Sequence, residues 1–148
     1  LDEKKMKRKY PVMLILPVLL ATAAILTVGC AGESEAPTQT IKDVTAEEAF
    51  NLIQENESNP NFIIVDVRTP QEFAEGHIEN AINIDFRSDA FNGEIGNLDR
   101  TTKYLLYCRS GNRSRGALSV MTELGFKEVY HLSAGIIGWA EAEYPVTK

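Results

Sequence analysis

Tyr104-Leu-Leu-Tyr-Cys108-Arg-Ser-Gly-Asn-Arg-Ser114 decides how this chain is read. Its first part is apolar and aromatic, as a buried strand is, and it ends on a cysteine. A polar loop with one glycine and two arginines follows at once. Beyond it, Ser114 to Leu124 places apolar residues at 117, 118, 120, 121 and 124, the spacing of a helix. A cysteine between the carboxyl end of a strand and the amino end of a helix faces unpaired backbone N–H groups and the positive end of the helix dipole. Such a place holds anions and lowers a thiol's pKa. The stretch therefore predicts a nucleophilic or sulfur-carrying thiolate at Cys108.

On either side of this stretch, strand and helix patterns alternate. A short strand is expected near Ile41, followed by a capping box at Thr45-Ala-Glu-Glu48 and a helical face of Ala46, Ala49, Phe50 and Ile53. Asn56 to Asn61 breaks that helix. Phe62-Ile-Ile-Val-Asp-Val67 is apolar without alternation, which marks a strand covered on both faces. Thr69-Pro-Gln-Glu72 repeats the capping pattern with proline at the first helical position, and Gly76 ends the helix. Further strands are expected at Ala81–Ile84, Lys103–Tyr107 and Glu128–Leu132, with short helices at Ser88–Asn92 and Ile136–Ala142 and a loop from Asn92 to Thr102. The alternation predicts an α/β domain with a mostly parallel sheet of about five strands. Ligands of such sheets bind beyond the carboxyl ends of the strands, where Cys108 lies and where Asp66 lies if its strand is central.

The first thirty residues follow different rules. Met6-Lys-Arg-Lys-Tyr10 is basic, with Met6 the expected initiator, and Pro11 to Gly29 carries no charge before Leu26-Thr-Val-Gly-Cys30. Residues 1–29 read as a secretory signal, and Cys30 after a small residue reads as a lipidation site, although Thr27 stands where such motifs usually have leucine. A cleaved signal without lipid and an uncleaved spanning helix are the competing readings, the latter weakened by Pro11 and Pro17. All three place the domain outside the cytoplasm. Residues 30–40 are expected to form a flexible tether to a domain at 41–148.

Beyond residue 29 the chain has ten Lys and Arg against nineteen Asp and Glu, a net charge of −9. That balance argues against nucleic acid as a partner. Against it the cluster Arg109, Arg113 and Arg115 invites a small anion. With Cys30 lipidated, Cys108 is the one remaining thiol, so no internal disulfide is possible. A metal-ligand cluster, a P-loop and a Ser-His-Asp set are not recognisable. Asp66 reads as the partner of Arg68, Arg115 as paired with a surface acid, His77 as a helix-end residue, and His131 and Trp139 as structural.

The residues Val65-Asp-Val-Arg68, Glu72-Phe73, Gly76-His-Ile78, the Cys108–Ser114 loop, Leu124-Gly-Phe126, Val129-Tyr-His-Leu132, Gly135-Ile136, Gly138-Trp139 and Tyr144-Pro-Val146 occur in an order that resembles a single-domain rhodanese. Ala134 departs from the second glycine often found there. The resemblance implies a three-layer domain with helices on both sheet faces, and a sulfurtransferase that moves sulfane sulfur from thiosulfate or a similar donor through a Cys108 persulfide. It implies that Arg109, Ser110, Gly111, Asn112, Arg113 and Ser114 cradle the persulfide. Arg109 and Arg113 are our candidates for attracting a doubly charged donor. No cofactor or metal is expected; the partners would be a small anionic donor, a thiol or cyanide acceptor, an acceptor protein, and the membrane through the N-terminal anchor. A sulfur carrier without efficient turnover is the alternative. A cysteine phosphatase or arsenate reductase is disfavoured, because phosphate loops of this kind place arginine after five residues and that position is Ser114.

Overall fold

The computed structural model describes residues 38–148. Five strands, β1 (Thr40–Val44), β2 (Phe62–Asp66), β3 (Ala81–Asn83), β4 (Lys103–Tyr107) and β5 (Glu128–Leu132), form one sheet in the order β1-β5-β4-β2-β3. All four pairings are parallel. β4 is therefore central, with neighbours on both edges, which is why its Tyr-Leu-Leu-Tyr run lacks alternation: every one of those side chains is covered. β1 and β3 close the edges and are short or polar, a composition that discourages further pairing.

Five helices cover the two faces: α1 (Ala46–Glu55), α2 (Pro70–Glu75), α3 (Phe91–Gly96), α4 (Asn112–Glu123) and α5 (Gly135–Glu141). One core joins Val65, Leu106 and Val129 of the sheet to Phe91 and Ile95 of α3 and to Ala117, Leu118 and Met121 of α4. The other joins Ile64, Leu105 and Leu132 to Ala49 of α1 and Trp139 of α5. The two alternating faces of the same strands thus feed separate cores, and the three-layer expectation stands. Both capping boxes form, at Thr45 with Glu48 and at Thr69 with Glu72.

Several boundaries shift by a residue or two, and two differences bear on how the domain is built. The helix expected at Ser88–Asn92 lies at Phe91–Gly96, inside a stretch read as loop. Gly93 and Gly96 lower its intrinsic propensity, and burial of Phe91 and Ile95, one turn apart, holds it instead. The domain also begins slightly early: β1 starts at Thr40, and the Gln39 side chain donates to the carbonyls of Thr122 and Phe126. The signal segment, Cys30 and most of the tether lie outside the described residues.

Candidate active site

Cys108 directly follows the central strand and is 1% exposed. After it the chain turns through Gly111, at φ 89°, into α4. Only glycine fits there: a side chain would need a left-handed backbone, and its Cβ would collide with the Ser133 carbonyl. Gly135, at φ 61°, is excluded from substitution for the same reasons, since a Cβ would stand 2.5–2.6 Å from the carbonyls of Arg109 and Cys108. The first N–H groups of α5 use that closeness. Ile136 donates to the Cys108 carbonyl at 2.9 Å and Ile137 to that of Arg109 at 3.2 Å. The loop is thus pinned from outside, and its own donors are left free for the sulfur.

No side chain caps α4; the Cys108 sulfur occupies the place of the cap. Burial pushes the thiol's pKa up, but the Ser114 hydroxyl and the N–H groups of Ser114, Ser110 and Gly111 outweigh it and leave the pKa below its ordinary value. The Ser114 hydroxyl is 3.3 Å from Sγ. It also lies 3.1 Å from the Gly111 carbonyl and 2.8 Å from Nε2 of His131.

The first turn of α4 carries arginines where the helix dipole is already positive, and each is offset by an acid from another element. Arg113 forks onto Glu72 of α2 with bonds of 2.6 and 2.7 Å. Arg115 meets Asp43 of β1 at 3.0 Å. Arg113, expected to attract a donor, therefore has its charge largely taken up by Glu72. Arg109 is exposed and carries no ion pair among the described residues. It borders a cleft of about 320 Å³ beside the loop, lined also by Arg68, Glu72, Gly76, Ile136 and Val146.

The residues read as supports hold their places. Asp66 and Arg68 form a buried pair, with Arg68 Nη2 2.6 Å from Asp66 and 2.7 Å from the Gly76 carbonyl. Asn83 donates to the carbonyls of both residues. His77 packs on the Phe73 ring at 3.7 Å, its Nδ1 3.0 Å from the Phe73 carbonyl. The expectation that no Ser-His-Asp set exists needs correction. Ser114, His131 and Asp43 form a hydrogen-bonded chain, with His131 Nδ1 2.8 Å from Asp43. They come from α4, β5 and β1, and only the parallel pairing of β1 with β5 sets Asp43 opposite His131. Ser114 and His131 are both fully buried, so this serine is closed to substrates and turned toward sulfur. Asn112 is exposed at the first position of α4.

Residues 45–142 match the family pattern of the rhodanese-like domain. A sulfurtransferase from Allochromatium vinosum is 30% identical over 65% of this chain and 88% of that protein. A tRNA uridine(34) hydroxylase from Photorhabdus laumondii is 31% identical over 76% of this chain, but the chain spans only 32% of that longer protein. Among solved structures, a rhodanese-related protein from Thermoplasma volcanium superposes with a TM-score of 0.60 at 31% identity, over 72% of this chain and 97% of that one.

Proposed function

The chain belongs to the rhodanese-like domain family, and on that premise we propose that it is a sulfurtransferase carrying sulfane sulfur on Cys108. The observation that supports this most is the convergence of the Ser114 hydroxyl and three loop N–H groups on one buried sulfur, at the amino end of α4. These donors stabilise negative charge on the sulfur. The Cys108 thiolate attacks the outer sulfur of thiosulfate. A new S–S bond forms, the old one breaks, and sulfite leaves with its electron pair. The persulfide keeps the negative charge on its terminal sulfur. Cyanide or a thiolate then attacks that atom and returns Cys108 as thiolate.

Thiosulfate suits the site because its outer sulfur is a slender terminal atom that can reach a nearly enclosed thiolate, while Arg109 meets the sulfonate at the rim. The phosphatase reading loses support from geometry as well as from counting, since the Arg113 guanidinium is forked onto Glu72. The test is thiosulfate-to-cyanide transfer by the purified chain beside Cys108→Ser, with intact mass recorded after thiosulfate alone. Cys108-dependent thiocyanate and a mass gain of one sulfur atom are expected. A persulfide that discharges only to one partner protein would instead favour a carrier, and absence of both signals would overturn thiosulfate as donor. We also propose that the domain works outside the cytoplasm, held to the membrane by a lipid on Cys30.

A further inference from the structure

His131 is fully buried, ionisable and unused by the reaction as written above. We infer that it is a positioning residue that stores the Cys108 proton, in a relay running Cys108–Ser114–His131–Asp43. The reading rests on the sulfurtransferase proposal for its purpose but not for its test.

The hydrogen-bond directions are constrained by chemistry. A carboxylate only accepts, so the 2.8 Å contact to Asp43 puts a proton on His131 Nδ1. The Asp43 carboxylate is held ionised below its ordinary pKa by that bond first and by Arg115 second. In a neutral ring Nε2 must then accept, and its partner at 2.8 Å is the Ser114 hydroxyl. Ser114 has one proton, so while it donates to His131 its oxygen accepts from the Cys108 thiol, 3.3 Å away. In the other state the S–H bond breaks and its proton forms a new O–H bond on Ser114. The original Ser114 proton passes to Nε2, giving an imidazolium between Ser114 and Asp43. Ser114 now donates to a thiolate, which matches what sulfur attack needs. No proton leaves the protein, and no water is required in a site this enclosed.

The titratable and charged groups facing His131 are Asp43 from β1, Cys108 beyond β4 and, through Asp43, Arg115 from α4. A merely structural histidine would tie β5 to β1 equally well with an uncharged amide. The discriminating variant is His131→Gln, whose amide can reach Ser114 but cannot take a proton. Thiolate ultraviolet absorbance of the purified full chain, measured against pH with Cys108→Ser as baseline, needs no sulfur donor, so it stands apart from any failure of the transfer assay. The expected result is an upward shift of the thiolate midpoint by about one unit, which is about tenfold less thiolate at any pH well below both midpoints. Asp43→Asn, at a half-exposed side chain, should shift the midpoint in the same direction and covers the case in which His131→Gln fails to fold. Superimposable profiles for folded His131→Gln and the parent would overturn the relay; so would an unshifted Asp43→Asn if His131→Gln is lost.

Discussion

Replacing Glu72 with glutamine removes the charge of one carboxylate and one acceptor of the Arg113 fork, while the remaining carbonyl can keep the cap at Thr69. In the native chain Arg113 first, against a smaller cost of burial, holds the Glu72 pKa down from 4.5 to about 2. At 1.36 kcal/mol per unit that difference is at most about 3.4 kcal/mol. A quarter of the Glu72 side chain faces solvent, and screening there reduces the net contribution to about 1–2 kcal/mol. Because the folded pKa lies below the unfolded one, this stability is complete above about pH 4.5 and disappears as pH falls toward about 2. Glu72→Gln should therefore lower the melting temperature by about 4–8 °C near neutrality, with the gap to the parent closing through the acid range. Thermal denaturation of both proteins across pH, followed by circular dichroism, reads the effect directly. An equal deficit at neutral and acid pH would mean the substitution acts by shape. No deficit at neutral pH would mean that the Arg113 fork is solvated decoration.

Arg109→Ala should raise the Michaelis constant for thiosulfate about three- to tenfold with little change in kcat, because an exposed rim charge binds ground and transition states alike; Arg113→Ala should instead lower the melting temperature, and steady-state kinetics beside calorimetry separates the two. Gly111→Ala should cost at least about 2 kcal/mol in denaturant unfolding and abolish persulfide formation, since both the left-handed backbone and the Ser133 carbonyl oppose it; near-native persulfide formation would refute the close packing of that loop. Cys30→Ala should move the protein from the membrane to the soluble fraction after cell breakage, and continued membrane retention would favour a spanning helix.

Much of the architecture was legible because local signals agreed with one another. The two capping boxes, the unalternating β2 and β4, and Gly76 at the end of α2 each match the fold's demand at that point. α3 was misplaced because its stability comes from two buried side chains and not from its own propensity. At the site, Cys108 and its loop could be read from neighbours in sequence. The partners of that loop could not. Glu72 announces itself only as a helix cap, and its second role depends on α2 packing beside α4. Asp43 and His131 look like a surface acid and a strand histidine until β1 pairs with β5, a contact between residues 88 apart. Its place in a strand pattern marks His131 as structural; what lies opposite it is a matter of strand order alone.

The pins that shape the reactive loop come from far downstream of the cysteine they serve. Ser133 crowds Gly111, Gly135 lies against Cys108 and Arg109, and Ile136 and Ile137 tie down their carbonyls. During synthesis, then, the cysteine emerges well before the segments that tune it, and β1 waits for β5 before it can join the sheet. A chain ending before Ser133 lacks the carbonyl that crowds Gly111 and the N–H groups that hold the Cys108 and Arg109 carbonyls. The loop around the nucleophile therefore takes its final shape only when the tail docks, so the last part of the chain to be made completes the contacts around the central strand's end.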